Sequence, residues 1–350
     1  MSAVRKVYKD IVKTLLGACF YYSGLFFLLR AWNNFCGRRL TIVTYHRVTP
    51  TPLAQIDKSL PTLFITEETF RKHLTFYNKH YKIVRFSDLV GYAKNKAADI
   101  PHNLLMITFD DGYEDNVRYG APLLNEYNAP WTLFVATDKV GKKEVMWWDR
   151  MFALLTHLTR QQRQGSITLP SQDSTVTEIL NQFSNDPSIL FWHFNRCKME
   201  ELLALIEKLQ SYCHLSEEEL LAENSFLSWE QANQLYPNAD LGSHTCSHIV
   251  LTSMDLTAVA KEMSLSKEMI RNACHREPLS FCYPAGIYTE EIVSLVAKSG
   301  YDFAVTQDRG VNNLAEPYTL KRINLWEGSA NLSSGEFSLG FFSIRMLGIV

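Results

Sequence analysis

The sequence predicts a parallel α/β fold in which buried strands lie inside and helices lie outside. From residue 40 onward, short apolar runs suited to buried strands alternate with segments whose apolar residues recur at helical spacing. The runs at 40–45 (LTIVTY) and 104–109 (LLMITF) predict two such strands. Between them a helix is predicted over 67–81, because its apolar residues share one face and Thr66 can serve as its N-cap.

The same alternation continues along the rest of the chain. Further strands are predicted at 82–86, 131–137, 240–243, 280–283 and 301–306. Further helices are predicted after Ser87 as a cap, around 117–127, over 256–273, and from Thr289 as N-cap to Gly300. This repeated order of strand and helix is typical of a barrel or sheet with parallel strands.

Changes in composition divide the chain into four predicted parts. Residues 1–39 are an apolar or amphipathic helical segment, and residues 40–141 are the first part of a barrel. Residues 142–230 are a mostly helical insertion, and residues 231–350 are the second part of the barrel with a C-terminal tail. The insertion is rich in Leu, Gln and charged residues, with a helix predicted at 199–210 and a polar loop at 164–177.

The composition is that of an ordinary globular protein, with 46% hydrophobic and 21% charged residues. The 35 basic and 37 acidic residues give a formal net charge of -2 and are interpreted as mixed along the chain, so no nucleic acid partner is expected. The seven cysteines form no CxxC pair and no regular framework, which favours a reducing compartment. Cys246 is interpreted as a small packing residue.

The N-terminal run at 14–29 (TLLGACFYYSGLFFLL) contains no charged residue and is flanked by Lys13 and Arg30. It is short for a membrane span, which needs roughly twenty apolar residues, and no small-x-small cleavage site follows it. Three interpretations stay open: an amphipathic helix packed on the domain or lying at a membrane surface, a poor span or anchor, and a cleaved signal. We expect no cleavage, peripheral membrane contact through this run, and a cytoplasmic or membrane-associated rather than secreted location.

Two adjacent carboxylates, Asp110 and Asp111, follow the strand at 104–109 in the sequence TFDDG. In α/β folds catalytic groups collect at the carboxyl ends of strands, because the loops there form the open face. A bound metal removes the cost of adjacent acids, with one carboxylate as ligand and the other left to take a proton from water. The alternative is an Asp that caps the following helix.

A pair of histidines, His244 and His248, follows the predicted strand at 240–243. The H-x3-H spacing is expected to place both imidazoles on one face of a helical turn, as metal pairs require. Two His and one Asp make a complete three-ligand set that leaves positions open for water and substrate. Zinc, cobalt, nickel and manganese all suit such a set, and zinc is the expected metal.

Three motifs together resemble the NodB-like polysaccharide deacetylase family, which is carbohydrate esterase family 4. They are TFDDG at 108–112, GSHTCSH at 242–248 and FCYPAG at 281–286, in the family's order and spacing. The match extends over about 40–325, and YHRV at 45–48 resembles the branch that acts on surface polysaccharides. The resemblance implies a distorted (β/α) barrel that carries the helical segment as an insertion.

The resemblance also implies a role for each matching residue. Asp110 matches the general base, and Asp111, His244 and His248 match the metal ligands, while the backbone N–H of Ala285 matches the donor that stabilises the oxyanion. The implied reaction removes N-acetyl groups from amino sugars of a polysaccharide or lipid-linked glycan. A related amidase or O-deacetylase, and a non-catalytic glycan-binding relative, are the alternatives.

The sequence departs from the family pattern at three places. Cys282 stands where many members have an arginine that orients the base, and Ala285 replaces an aromatic residue. Arg322 is the nearest candidate for a substitute charge, with a solvated surface arginine as the alternative. No Leu-x-His motif appears near the C-terminus, so His46, which ends the first strand, is predicted to be the general acid; the alternative is a histidine that satisfies buried backbone groups.

Four further residues are predicted to contact the substrate. Trp147 and Trp148 are adjacent indoles at the start of the insertion and suit stacking on sugar faces, although core packing of at least one is the alternative. Asp149 is predicted to line the groove or to cap a helix. Tyr283 lies in the third motif.

Overall fold

The computed structural model describes residues 3–94, 100–166, 174–185, 197–213, 215–332 and 335–348. Two expectations therefore fall partly outside the described residues. Residues 167–173 of the predicted loop lie outside them, as do residues 186–196 and His214 of the predicted insertion.

The chain forms two compact units. The first comprises Met1–Pro50, Leu63–Gly141 and Leu227–Val350, and the second comprises Thr51–Thr62 and Lys142–Phe226. Within the second unit the described residues are mainly helical, as expected from their composition. No local sequence signal assigned the segment 51–62 to this unit.

The first unit is built on an eight-stranded parallel sheet. Its strands are β1 (Leu40–Tyr45), β4 (Lys82–Ile83), β5 (Leu104–Phe109), β6 (Trp131–Val135), β7 (Ala239–Ser243), β8 (Ser280–Cys282), β9 (Phe303–Val305) and β10 (Ile323–Asn324). A separate parallel pair is β2 (Arg47–Thr49) with β3 (Phe64–Thr66).

The strand order shows that the sheet curls. The order is β10-β1-β5-β6-β7-β8-β9, and β4 also pairs with the start of β5. Leu320 forms a parallel bridge with Val305 of β9, and three residues later Ile323 pairs with Val43 of β1. The segment from 320 to 324 thus links the two ends of the strand order, so the prediction of a distorted (β/α) barrel is confirmed.

The helices follow the predicted alternation. Those of the first unit are α1 (Ala3–Tyr22), α2 (Leu25–Phe35), α3 (Glu67–His80), α4 (Phe86–Lys94), α5 (Ala121–Glu126), α10 (Trp229–Gln234), α11 (Leu256–Cys274), α12 (Glu290–Lys298) and α13 (Leu339–Arg345). Those of the second unit are α6 (Trp147–Arg163), α7 (Ser174–Asn185), α8 (Met199–Tyr212) and α9 (Glu217–Glu223). The predicted caps Thr66 and Thr289 are confirmed, since each side chain accepts a backbone N–H of its helix.

Some predicted boundaries were wrong. The strand expected at 82–86 ends at Ile83, and α4 begins at Phe86, so Ser87 does not cap it. The Ser87 hydroxyl instead donates to the Asp240 carboxylate over 3.0 Å, a partner from a distant strand that local sequence cannot reveal. The helix expected around 117–127 begins as a π-helical turn, Asn116–Gly120, before α5.

The N-terminal apolar run forms parts of two helices. α1 ends at Tyr22, and Gly24 takes a left-handed conformation (φ 86°) that turns the chain into α2. No single helix in the described ranges is long and apolar enough to cross a membrane. The segments Asp10–Tyr22 and Leu25–Phe35 are long and apolar enough only when taken together, and the pair is bent by 60°.

Candidate active site

The candidate site begins where the inner side of the barrel changes from apolar to polar. Side chains alternate along a strand. Those on the inner side of β1 and β5 are first apolar, then threonine and then ionisable: Leu40, Ile42, Thr44 and His46 on one strand, and Leu104, Met106, Thr108 and Asp110 on the other. The register of the two strands therefore brings an imidazole and a carboxylate together at their carboxyl ends.

Asp110 is buried (1% exposed) and is held by Arg322 through two charge-assisted hydrogen bonds. Nη1 donates to Oδ1 and Nη2 donates to Oδ2, each over 2.7 Å. Burial by itself raises the pKa of Asp110, but the adjacent guanidinium outweighs it and holds the pKa below its usual value. Because each carboxylate oxygen accepts more than one hydrogen bond, Asp110 keeps capacity for a further donor.

Arg322 is positioned by several strands of the barrel. Its Nε donates to the carbonyl oxygen of Thr306 over 2.8 Å, and Nη1 donates to the hydroxyls of Thr44 (3.0 Å) and Thr108 (3.3 Å). The residue is 1% exposed, so the alternative of a solvated surface arginine is wrong. The guanidinium therefore lies beside Asp110, and its role as the substitute charge stays a prediction.

Asp111, His244 and His248 form a second group next to Asp110. Oδ1 of Asp111 lies 3.5 Å from Nε2 of His244 and 3.2 Å from Nε2 of His248. Nδ1 of His244 lies 2.8 Å from the carbonyl oxygen of Cys282 and donates to it, so Nε2 is the ring atom that faces Asp111. Burial raises the pKa of Asp111, but hydrogen bonds from both imidazoles outweigh it and hold the pKa well below its usual value.

The prediction that His244 and His248 lie on a helical turn is wrong. β7 ends at Ser243, and the chain then takes left-handed backbone conformations at Thr245 (φ 65°) and His248 (φ 61°). The two rings still meet, with centroids 4.6 Å apart. The spacing therefore gives the expected proximity through a loop.

Glu262 on α11 explains why this loop is not helical. Its Oε2 accepts hydrogen bonds from the backbone N–H groups of Cys246 and Ser247, each over 2.9 Å. Its Oε1 accepts the Ser247 hydroxyl over 3.0 Å. One carboxylate thus fixes the chain between the two histidines, in competition with helical hydrogen bonding.

The donor atoms of Asp111, His244 and His248 fit a divalent metal. All three atoms lie within 4.8 Å of one another. A tetrahedral zinc site with bonds of about 2.0–2.2 Å separates its donors by roughly 3.3–3.6 Å, close to the two measured Asp–His distances. Asp110, His244 and Cys282 also lie close together; however, Asp110 is paired with Arg322, and burial raises the pKa of the Cys282 thiol, so this second set lacks a thiolate.

His46 lies beside Asp110, where the strand register predicted it. Its Nε2 is 4.0 Å from Oδ2 of Asp110, and the side chain is 15% exposed. The backbone carbonyl of His46 accepts a hydrogen bond from the Asn116 side chain. The role of His46 as general acid stays a prediction, as does the alternative of a histidine that satisfies buried backbone groups.

A model of the polysaccharide deacetylase family matches residues 97–182 and 194–304, which is more than half of the chain. The chain belongs to the polysaccharide deacetylase family. A curated relative is the provisionally named polysaccharide deacetylase YxkH of Bacillus subtilis (strain 168), which is 22% identical over 234 residues. That match covers 67% of the chain and 55% of the relative, so the chain spans about half the length of the relative.

Solved structures with a similar fold include two deacetylases. The Streptococcus pyogenes deacetylase PplD, in complex with acetate, has a TM-score of 0.54 at 15% identity, with 83% of this chain and 94% of that chain covered. A de-N-acetylase from Aggregatibacter actinomycetemcomitans has a TM-score of 0.54 at 14% identity, with 88% and 99% covered. The predicted fold and the predicted membership of this hydrolase family are confirmed; the YH-containing branch stays a prediction.

The third family motif forms a tight turn after β8. Ala285 (φ 54°) and Gly286 (φ 69°) both have left-handed backbone conformations. A Cβ on Gly286 would lie 2.8 Å from the backbone nitrogen of Gln307, so only glycine fits there. The backbone of Ala285 follows a buried strand of the same barrel, and its role as oxyanion donor stays a prediction.

The residues predicted to contact the substrate differ in their surroundings. Tyr283 is fully buried, and its hydroxyl donates to the carbonyl oxygen of Tyr318 over 3.0 Å. In the second unit, Trp147 and Trp148 are half-buried, with ring centroids 5.5 Å apart. Asp149 is fully buried and accepts a hydrogen bond from Ser59; it does not cap α6, whose N-cap is Met146. Their contact with substrate stays a prediction.

Sequence reasoning missed several residues that hold the site. Thr44 and Thr108 contact Arg322, and Nε2 of Gln307 lies 3.5 Å from Oδ2 of Asp110. Thr44, Thr108 and Gln307 could have been found, because each lies at or just beyond the carboxyl end of a strand, on its inner side. Glu262 lies in the middle of a helix, where no local pattern distinguishes it from a solvated glutamate.

Proposed function

We propose that this protein is a metal-dependent hydrolase that removes N-acetyl groups from amino sugars of a polysaccharide or lipid-linked glycan. The observation that carries the proposal is the juxtaposition of two separately held carboxylates. Asp110 is paired with Arg322, and Asp111 faces the imidazoles of His244 and His248. Family membership and the likeness of the fold to that of a de-N-acetylase support the same chemistry.

Asp111, His244 and His248 are the residues that would hold the metal. A divalent ion bound there, with zinc expected before cobalt, nickel or manganese, supplies Lewis-acid polarisation of the acetamide carbonyl and lowers the pKa of water. Because Nδ1 of His244 donates to the Cys282 carbonyl, Nε2 is the ring atom that would bind the metal, in exchange for its proton.

Asp110 is the general base in this proposal. It stays ionised because Arg322 lowers its pKa, and its oxygens keep acceptor capacity for the proton of the attacking water. Arg322 is a positioning residue, since it acts through Asp110 and fixes the plane of the carboxylate with a two-pronged contact.

His46 and Ala285 complete the proposed mechanism. Breakdown of the tetrahedral intermediate requires a proton for the leaving amine, and we assign this donation to the His46 ring, which lies 4.0 Å from Asp110. The backbone N–H of Ala285 is the proposed donor to the oxyanion that forms from the acetyl carbonyl.

Acetate release from a panel of N-acetylated glycans tests the proposal. We expect release that stops after chelation of the metal and returns after zinc is added back. O-acetylated glycans and simple amides serve as competing substrates, because an O-deacetylase or a related amidase would prefer them. Glycan binding without any acetate release, by protein shown to contain metal, would contradict the proposal and favour a non-catalytic relative.

A further inference from the structure

Two N-terminal helices expose an unusual amount of apolar surface. Among the described residues, nine of the fifteen exposed large hydrophobic side chains lie on α1 and α2. Six of these nine are at least 60% exposed: Leu15, Leu16, Tyr22, Leu28, Trp32 and Phe35. We call these six residues the N-terminal apolar face. A concentration of exposed apolar side chains in one segment marks a site of interaction with a membrane or a partner.

The opposite side of the same helices is fixed to the barrel unit. Tyr21 (7% exposed) and Phe26 (0%) are buried, and the Tyr21 hydroxyl lies 2.9 Å from Nε2 of His80 on α3. α1 meets α13 at close range, since a Cβ on Gly17 would lie 2.8 Å from the backbone nitrogen of Phe341. The helices are therefore held on the protein by one side, which suits a helix pair lying on a surface rather than one crossing a bilayer.

Charge is distributed unevenly between this segment and the rest of the chain. Residues 1–39 contain seven Lys and Arg and one Asp, a formal charge of +6, whereas the whole chain has -2. The interpretation of evenly mixed charges is thus wrong for this segment. A basic, apolar segment on an otherwise acidic protein is complementary to an anionic lipid surface, which attracts Lys and Arg within a Debye length.

A pocket of about 540 Å³ lies next to α2. Its lining includes Leu29 and Trp32 from the helix, together with the basic residues Arg38, Arg309 and Lys321. Glu316 is the one acidic residue of this lining. Because Trp32 belongs both to the pocket and to the N-terminal apolar face, the apolar surface continues directly into a basic recess, as an anionic phospholipid headgroup requires.

We propose that the N-terminal apolar face and this basic pocket dock the protein on the surface of a bilayer containing anionic phospholipid. Apolar side chains enter the boundary between headgroups and acyl chains, Trp32 lies at the interface, and the basic pocket receives a headgroup phosphate. The proposal does not depend on the proposed enzymatic activity.

Docking in this way orients the catalytic site. Near the C-terminal end of α2, Asn34 donates to the Asn103 side chain over 2.8 Å, and Arg39 donates to the carbonyl oxygen of Ile100 over 2.8 Å. Both acceptors precede β5, whereas Asp110 follows it. α2 thus lies at the amino end of a six-residue strand, roughly 20 Å long, so the docked enzyme presents its site away from the bilayer.

Vesicle sedimentation of the full chain tests the docking proposal. We expect at least about tenfold stronger binding to vesicles of phosphatidylcholine with phosphatidylglycerol than to phosphatidylcholine alone, and weaker binding at high salt. The double variant Leu28→Glu/Trp32→Glu should lose at least about tenfold in affinity. Arg309→Ala/Lys321→Ala should lose the preference for anionic vesicles while a weak interaction with neutral vesicles remains.

Matched controls separate this surface from general effects. Leu256→Glu changes an apolar residue that is 47% exposed at the start of α11, and Lys298→Ala removes an exposed positive charge at the end of α12. Both controls should bind vesicles like the unchanged protein, and circular dichroism should show that every variant is folded. Equal binding to both vesicle types, or equal losses in controls and test variants, would overturn the proposal. The proposal would also be overturned if the unchanged protein bound no vesicles but formed a dimer, and if Leu28→Glu/Trp32→Glu converted that dimer to monomers. A second copy of the chain would then cover the N-terminal apolar face.

Discussion

Asp110 and Asp111 are neighbours in sequence, yet they lie in two different regions of the site. The region around Asp110 is built from a guanidinium and hydroxyls, with Arg322 held by Thr44 and Thr108. The region around Asp111 is built from imidazoles, with His244 and His248. Both carboxylates have a lowered pKa, but for different reasons: a permanent positive charge lowers that of Asp110, and hydrogen bonds from ring nitrogens lower that of Asp111.

This difference teaches how one strand end can supply two functions. An arginine stays charged at every working pH, so the guanidinium region keeps Asp110 ionised. Neutral imidazoles have lone pairs to share, so the imidazole region can receive a cation. The positive φ of Asp111 (74°) turns its side chain out of the strand alternation and separates the two regions.

The largest effects are expected in the imidazole region. Asp111→Ala, His244→Ala and His248→Ala should each lose bound metal, because each removes one of three ligands, and turnover should fall by on the order of 10⁴-fold or more. Metal analysis of the purified variants, together with acetate release, checks this. His73→Ala is a control that removes another buried histidine, on α3, and should keep its metal. Retention of a full metal equivalent by any of the three variants would show that the residue it changes is not a metal ligand.

In the guanidinium region, Arg322→Gln should reduce turnover by about a hundredfold and destabilise the fold by about 3–5 kcal/mol, because it leaves the buried Asp110 charge unpaired. Metal content should be unchanged. Arg322→Lys keeps the charge without the two-pronged contact and should give an intermediate rate. Turnover and urea unfolding measure the two effects, and loss of metal from Arg322→Gln would show that the two regions are not separate.

The same ion pair predicts how stability depends on pH. The folded-state pKa of Asp110 lies below its unfolded value of about 3.9. Its stabilisation is therefore fully present above that value and is lost as the pH falls through the folded pKa. Unfolding measured between neutral pH and about pH 3 should show a weaker acid dependence in Arg322→Gln than in the unchanged protein. An identical acid dependence would mean that Arg322 does not set the charge state of Asp110.

A kinetic effect without a loss of metal or stability is expected for His46, which belongs to neither carboxylate region by direct hydrogen bonding. His46→Ala should lower turnover by about 10²- to 10⁴-fold with unchanged metal content, because a positioned general acid contributes on that order. The alkaline limb of the pH–rate profile should also disappear. Near-normal turnover of this variant on an amide substrate would show that another group, or water, protonates the leaving amine.

The smallest expected effect concerns Glu262, which supports the imidazole region from outside. Glu262→Gln removes the negative charge, so the N–H contacts of Cys246 and Ser247, which share the single acceptor Oε2, both weaken. Metal affinity should fall by about 10- to 100-fold, as for other residues that orient ligands, and activity should return in excess zinc. The nearby Glu268→Gln on the same helix is the control and should bind metal normally. A loss of turnover that excess metal does not restore would assign Glu262 a different role.

The part of the site that the sequence predicts is the part set by strand ends. His46, Asp110 and His244 each follow a predicted strand, so the alternation of strands and helices was enough to place them on one face. Arg322 was predicted from the family pattern instead of from a strand end. Cys282 stands where many members of the family have an arginine, so the positive charge beside the base had to come from another residue.

What the sequence could not predict depends on distant partners. The non-helical loop between His244 and His248 is fixed by Glu262, which lies well beyond it in the chain. Ser87 failed as a cap because Asp240 binds it. The +6 charge at 1–39 could have been read from the sequence, but its meaning required the exposed faces of α1 and α2.

The central claim is that Asp110 and Asp111 have separable functions, and Asp110→Asn tests it most directly. This variant keeps the shape of the side chain and an acceptor oxygen for Arg322, but it cannot accept the proton of the attacking water. Metal content and acetate release should be measured on the same preparation. We expect a full metal equivalent with acetate release reduced by at least about a hundredfold. An Asp110→Asn protein that lost metal as completely as Asp111→Ala, or one that kept its metal and its normal acetate release, would contradict the account.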